Sequence, residues 1–195
     1  MALADGPVLA TLDDQGEPRG ARGVARDLAL GAGTVALAAL ALVDRGLGAR
    51  GLIDAFFLAV LVVLSVIDIQ QRLLPNRIVL PAAGLLLVAQ LAFFPEKAID
   101  WLVAPVGAAA FFLIVRVFNS QSIGMGDVKL MLLLGVALGK SVAFAVFLGA
   151  IVAGVWGLLL LVRHGPAARK MAIPYGPFLA FGAAMTVFFV NPSAY

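Results

Sequence analysis

Two aspartates stand at the ends of apolar segments, where an ionisable side chain is costly. Asp68 follows the apolar run 52–67, and Asp127 follows a Gly-x-Gly sequence at the start of another apolar run. An acid at membrane depth is a functional-site hypothesis by default. Of two neighbouring carboxyl groups, the charged one can take a proton from water while the neutral one donates to a carbonyl or a leaving amine. The two aspartates therefore predict hydrolysis of a peptide bond.

The composition is that of an integral membrane protein. The chain has 195 residues, of which 63% are hydrophobic and only 13% are charged. A soluble domain carries about a quarter charged residues. The absence of cysteine excludes disulfides and thiolate chemistry, and the single histidine argues against a metal site, so we expect no metal and no cofactor. The net charge of +3 does not indicate a nucleic-acid partner, because the positive residues lie at the ends of apolar runs.

Seven apolar segments predict an all-α, polytopic membrane helix bundle with about six to seven transmembrane helices. We expect residues 1–27 to be a polar, disordered cytoplasmic tail rather than a cleaved signal, 28–190 to be the membrane domain, and 191–195 to be a short C-terminal tail. The fifth segment is too short to span unless it starts near Ser122. That start would place Gly-x-Gly-Asp inside the membrane, where irregular backbone implies a cavity. The segments are 28–43, 52–67, 78–94, 101–118, 128–138, 142–162 and 173–190.

The positive charges predict that the N-terminus lies inside and the C-terminus outside. With that orientation, ten of the 14 Lys and Arg residues fall on the inner side and four on the outer side. Asp68 and Asp127 then share the inner side, whereas Asp44, Asp54 and Asp100 lie on the outer side. No other two acids form an equally good pair. The four outer cations are Arg45, Arg50, Lys97 and Lys140.

Structural alternatives stay open for each aspartate taken alone. Asp127 is also suited to cap a helix N-terminus, with the Gly-x-Gly before it serving as a turn. Asp68 could pair with Arg72 at a spacing of four residues along a helix. Lys129, close to Asp127, could stabilise an ionised aspartate or extend its amine to the membrane interface. The glycines beside Asp127 would allow unusual backbone angles and the close approach of a substrate strand.

Two further patterns have structural interpretations. A basic loop after the sixth segment, which includes Arg163 and His164, is typical of membrane topology and of contact with anionic lipids. Gly149, Gly154 and Gly157 predict that the sixth helix packs closely against a neighbour.

Three motifs of the chain resemble those of type IV prepilin peptidases. Residues 68–76, Asp-Ile-Gln-Gln-Arg-Leu-Leu-Pro-Asn, are similar to the family's first motif, in which Pro follows the Asp by seven residues. Residues 124–130, Gly-Met-Gly-Asp-Val-Lys-Leu, resemble its Gly-x-Gly-Asp motif, including the lysine. Residues 173–180, Ile-Pro-Tyr-Gly-Pro-Phe-Leu-Ala, resemble the start of its C-terminal helix. The motifs occur in the family's order, and the resemblance covers about 52–190.

The resemblance implies a membrane aspartic endopeptidase that needs no cofactor. Such an enzyme cuts the basic leader from prepilins or pseudopilins at the cytoplasmic face of the cytoplasmic membrane, before their hydrophobic helix. Its expected partners are that membrane-protein substrate and the lipid bilayer, and the oligomeric state is left open. Asp68 and Asp127 would be the catalytic pair. The motif positions that would support them are Gly124, Gly126, Lys129, Pro75 and Asn76.

Departures from the family pattern narrow the expected activity. Larger, bifunctional members carry paired Cys-x-x-Cys motifs and methylate the new N-terminus, whereas this chain has no cysteine, so we expect peptidase activity without methyltransferase activity. The alternative is an ion- or proton-coupled transporter that uses the membrane aspartates. Both acids lie near one face, which disfavours it. Presenilin-type proteases share Gly-x-Gly-Asp but need a Pro-Ala-Leu signature where this chain has Tyr-Gly-Pro at 175–177.

Overall fold

Helices account for almost all of the chain that the computed structural model describes. The described residues are 33–44, 46–71, 74–118, 124–165 and 175–190. Within these ranges there is no strand, and the predicted all-α helix bundle is confirmed. The helices are α1 (Gly33–Asp44), α2 (Ala49–Gln71), α3 (Asn76–Phe93), α4 (Ala98–Phe118), α5 (Met125–Leu138), α6 (Val142–His164) and α7 (Gly176–Phe189).

The surface of the bundle is apolar, as befits a multi-pass membrane protein. Val106, Phe147 and Leu158, for example, are each at least 62% exposed. By length and composition, four helical stretches of the described chain could cross a bilayer, and α1 and α7 are shorter apolar helices. The four stretches are Ala49–Gln70, Asn76–Phe93, Pro95–Phe118 and Met125–His164. The predicted tails, 1–27 and 191–195, lie outside the described residues, so the division of the chain stays a prediction.

Gly139 separates α5 from α6 and reverses the chain. Its backbone angles, φ 56° and ψ −136°, lie in a region that favours glycine. A Cβ at this position would also lie 2.8 Å from the Trp101 ring. The 40-residue stretch is therefore two helices that run in opposite directions. The fifth apolar segment thus forms a short helix of its own, 14 residues and about 21 Å long.

Glycines bring the central helices into backbone contact. A Cβ at Gly135 of α5 would overlap the backbone of Pro105 in α4, and one at Gly182 of α7 would overlap the carbonyl of Ala145 in α6. Gly149 likewise faces the start of α7, so the close packing predicted at this residue is confirmed. The same packing is not found for Gly154 and Gly157 in the described part of the chain, where nothing lies within 4 Å of a Cβ at either position.

A buried polar cluster fixes one end of the bundle, which we call the Arg50 end. Arg50 forms an ion pair with Asp54 at 3.1 Å and donates a hydrogen bond to Gln90 at 3.3 Å. Both Arg50 and Gln90 also donate to the carbonyl oxygen of Ala137, in the last turn of α5. Positive charge and donors at a helix C-terminus are stabilising, so the cluster anchors α5 at the end opposite its Gly-x-Gly-Asp motif.

Candidate active site

Asp68 lies in the last turn of α2 and is only 7% exposed. Its Oδ2 accepts a hydrogen bond of 2.9 Å from the backbone N–H of Gly176, the first residue of α7. The N-terminus of a helix favours negative charge, so this contact suits a carboxylate. The predicted pairing of Asp68 with Arg72 stays a prediction, because Arg72 lies outside the described residues. The bond from Gly176 joins two helices that are far apart in sequence.

Gly176 has no room for a side chain. A Cβ on this residue would lie 2.6 Å from Oδ2 of Asp68 and 3.1 Å from its Cγ. The backbone of α7 can therefore approach the carboxylate only because position 176 is glycine. Sequence reasoning assigned no role to this residue, although it lies in the Tyr-Gly-Pro sequence of the third motif. The signal that could have found it was a glycine directly before a helix-starting proline.

Asp127 occupies the first turn of α5. Gly124 is the N-cap residue of this helix, and its backbone N–H donates a 3.0 Å hydrogen bond to Oδ2 of Asp127. Asp127 thus caps the helix from the third helical position rather than from the N-cap itself. This bond engages one carboxylate oxygen, so a capping role is compatible with a second role in catalysis.

The two aspartates lie within range of each other's charge. The charge of Asp68 acts on the carboxyl group of Asp127, as does the charge of Arg116 in the last turn of α4. Tyr175 directly precedes Gly176 and is partly buried. The negative charge of Asp127 also reaches the phenol of Tyr175. Asp68, Asp127 and Tyr175 consequently share one site at the end of the bundle that we call the aspartate end.

The supporting motif residues tie the start of α5 to the start of α3. The amine of Lys129 donates a 2.6 Å hydrogen bond to Oδ1 of Asn76. A Cβ on Gly126 would lie 3.1 Å from Cβ of Leu74, so glycine permits a close approach between the two segments. Pro75 is the N-cap residue of α3, and its carbonyl accepts the first hydrogen bonds of that helix. The first and second motifs are therefore joined by direct contacts.

The observed glycine contacts differ from the predicted ones. Gly124 has an ordinary extended backbone, with φ −74° and ψ 155°, so the unusual angles expected there are not found. Gly126 approaches Leu74 closely, and the approach of a substrate strand to these glycines stays a prediction. The amine of Lys129 contacts Asn76, and both roles expected for this lysine stay predictions. In the described part of the chain, no group of three His, Cys, Asp or Glu residues could hold a metal ion.

Comparison with known proteins agrees with the motifs. A profile of the type IV leader peptidase family matches residues 55–158, which include both aspartates. A prepilin leader peptidase/N-methyltransferase of Burkholderia pseudomallei (strain K96243) is 36% identical over 185 residues, which cover 90% of this chain and 57% of the relative. The corresponding protein of Bacillus subtilis (strain 168) is 29% identical over 133 residues, covering 66% of this chain and 52% of the relative.

A shorter relative is covered almost completely. Leader peptidase HopD of Salmonella typhimurium is 32% identical over 139 residues, which cover 67% of this chain and 88% of HopD. The chain spans only about half the length of the two relatives that are named as N-methyltransferases. No solved structure matches.

Proposed function

The chain belongs to the type IV leader peptidase family, and we propose that it is a membrane aspartic endopeptidase that removes the basic leader from type IV prepilins or pseudopilins. The observation that carries this proposal is that Asp68, bonded to the first residue of α7, and Asp127, in the first turn of α5, lie within range of each other's charge. The relatives named above supply the substrate class. Two of these relatives are also named as N-methyltransferases, an activity that we do not assign to this chain.

We assign peptide-bond hydrolysis to the two aspartates and one water molecule. The ionised aspartate takes a proton from the water as the oxygen attacks the carbonyl carbon. The protonated aspartate donates its proton to the carbonyl oxygen, which gives a tetrahedral diol. The aspartate that took the water proton then passes it to the leaving amine, while a hydroxyl of the diol returns a proton to the other aspartate as the C–N bond breaks. The products are a carboxylic acid and an amine, and the pair again holds one proton. In both aspartates, Oδ2 accepts a hydrogen bond from a backbone N–H group. We therefore assign Oδ1 of each as the oxygen that faces the water.

The lengths of the helices support a site that is recessed from the membrane surface. α5 and α7 both begin beside the aspartates, and each has 14 residues, or about 21 Å of helix. The hydrocarbon core is about 30 Å thick, and α6, with 23 residues, is long enough to cross it. We therefore expect the site to lie below the inner boundary, in a protein-lined cavity that water can enter. A substrate helix must unwind locally to reach it.

We propose that the aspartate end faces the cytoplasm. Arg77, Arg116 and Arg163 lie at the ends of helices on this side of the bundle. At the Arg50 end, Arg50 is paired with Asp54 and Lys140 with Asp100, at 2.8 Å in the second pair. An excess of Lys and Arg on the cytoplasmic side is the usual pattern of membrane proteins. This orientation would put the aspartates on the side where a basic leader emerges.

Co-expression with a prepilin that carries a Gly-Phe junction tests the proposal. Asp68→Asn and Asp127→Asn should each lower the rate of leader removal by roughly 10²–10⁴-fold, because each removes one half of the acid–base pair. Asp100→Asn is the matched control, since Asp100 pairs with Lys140 at the Arg50 end. Leader removal is followed by the mobility of the prepilin on a gel. Normal processing by either site variant would refute the assignment of the pair.

A further inference from the structure

An apolar groove runs between α4 and α6 and ends at Tyr175. It has a volume of about 850 Å³. Its wall on the α4 side includes Gly107 and Phe111, and its wall on the α6 side includes Val146 and Phe147. Except for the Tyr175 phenol, the side chains that line it carry no polar group. Such a groove suits an apolar occupant and disfavours a charged one.

Tyr175 makes the groove continuous with the candidate active site. Its side chain lines the groove, and its phenol lies within the field of the Asp127 carboxylate. The next residue, Gly176, holds Asp68 through its backbone N–H. A chain that lies in the groove would therefore pass Tyr175 and reach the aspartates without leaving the protein surface.

The direction of the groove fits a substrate that is cleaved just before an apolar helix. Tyr175 marks the aspartate end, whereas Val142 of the groove is the first residue of α6 and lies toward the Arg50 end. The lining residues extend from Gly107 to Val115 on α4 and over an equal span of α6, a rise of about 12 Å. That length corresponds to about two turns of a bound helix, which occupy roughly 900 Å³ if the helix is 10 Å wide.

We propose that this groove binds the first two turns of the hydrophobic helix that follows the scissile bond of the substrate. The proposal rests on the proposed peptidase function and specifies where the part of the substrate beyond the leader is held. With the helix in the groove, its N-terminal end lies beside Tyr175, and the bond before it reaches Asp68 and Asp127. The basic leader then projects toward the aspartate end, away from the apolar walls.

Gly107→Phe tests the groove because it fills the space without disturbing the fold. Nothing lies within 4 Å of a Cβ at Gly107, so the new side chain enters open space. Gly84→Phe is the matched control, since Gly84 is also an exposed helical glycine with open space around it but lies on α3, outside the groove. Each variant is assayed on a complete prepilin and on a short peptide that ends three residues after the junction.

We expect Gly107→Phe to raise KM for the complete prepilin by about tenfold or more, the equivalent of about 1.4 kcal/mol of binding. Its cleavage of the short peptide should be unchanged, as should both activities of Gly84→Phe. An unchanged KM for the prepilin would contradict binding of the substrate helix in the groove. An equal loss of activity on both substrates would also contradict it, because it would indicate a disturbed catalytic site. If the wild-type protein cleaves neither substrate, the proposed function fails instead.

Photo-crosslinking measures occupancy without any cleavage. Benzoylphenylalanine at position 147 in the Asp68→Asn background should form an adduct with the first eight or so residues after the junction of the prepilin, about two helical turns. The control position is Leu85, which lies on α3 and is 57% exposed. Adducts with lipid alone, or with a second copy of this chain alone, would overturn the proposal.

Discussion

Gly176 lets a backbone N–H reach a nearly buried carboxylate, and this single position sets the orientation of Asp68. The hydrogen bond is 2.9 Å long, and a Cβ would stand 2.6 Å from the same oxygen. The carboxylate could avoid an added Cβ only by rotating about its side-chain bonds, which would break this hydrogen bond. The position therefore couples the packing of two helices directly to the geometry of the proposed catalytic pair.

Gly176→Ala should lower kcat for leader removal on the order of 100-fold, since misplacement of a catalytic group by about 1 Å has an effect of that size. The overlap should also destabilise the fold by about 1–3 kcal/mol, which thermal unfolding in detergent would detect. Gly84→Ala controls for loss of a helical glycine, because it meets no neighbour. Wild-type kcat in the Gly176 variant would contradict the positioning role of this residue.

At the scale of helices, the short α5 and α7 depend on backbone contact with longer partners. Gly135 lets α5 lie against the backbone of Pro105 in α4, and Gly182 lets α7 lie against Ala145 in α6. Helix association in membranes is driven by such close contact between small residues. The two helices that begin at the aspartates are consequently placed by glycines that lie well away from the site.

Gly135→Ala should destabilise the bundle by about 1–3 kcal/mol, because the added methyl group has no space beside Pro105. Gly154→Ala is the matched control, and it should be neutral or stabilise α6 by up to about 1 kcal/mol, since nothing lies near its Cβ. Unfolding in mixed detergent micelles at increasing SDS fraction measures both. Equal stability of the two variants would mean that the contact between α4 and α5 tolerates a wider separation.

The pattern of small residues in α6 could predict a packed helix but not which part of it is packed. Gly149 faces Phe178 and Leu179 near the start of α7, whereas α6 continues to His164 beyond that start. Its last turns therefore have no α7 residue beside them, and Gly154 and Gly157 face open space. Spacing along one helix carries no information about where its partner begins. The position at which α7 begins therefore determines which part of α6 is packed against it.

At the scale of the molecule, the features that are local in sequence were the predictable ones. Apolar segments and their charged ends predicted the all-α membrane bundle, and each motif aspartate does lie in a terminal turn of a helix. The bonds from Gly176 to Asp68 and from Lys129 to Asn76 could not be predicted, because their partners are 108 and 53 residues apart. The groove at Tyr175 also depends on how α4 and α6 are placed relative to each other, which neither segment encodes alone.

The orientation of the whole molecule is the remaining requirement of the proposed function, and the chain is well suited to measuring it. It contains no cysteine, so a single introduced cysteine is a unique label. Glu96 lies in the turn between α3 and α4 at the Arg50 end, and His164 ends α6 at the aspartate end. Both side chains are exposed, and neither belongs to the proposed site.

Glu96→Cys should react with a membrane-impermeant maleimide in intact spheroplasts, whereas His164→Cys should react only after the membrane is opened. The expected result follows from the excess of Lys and Arg at the aspartate end, which favours a cytoplasmic location for that end. Leader removal by both variants confirms that each is folded. The reverse labelling pattern would put Asp68 and Asp127 on the outer side of the membrane. A leader that emerges in the cytoplasm could not then reach them, and cleavage at the cytoplasmic face would be excluded.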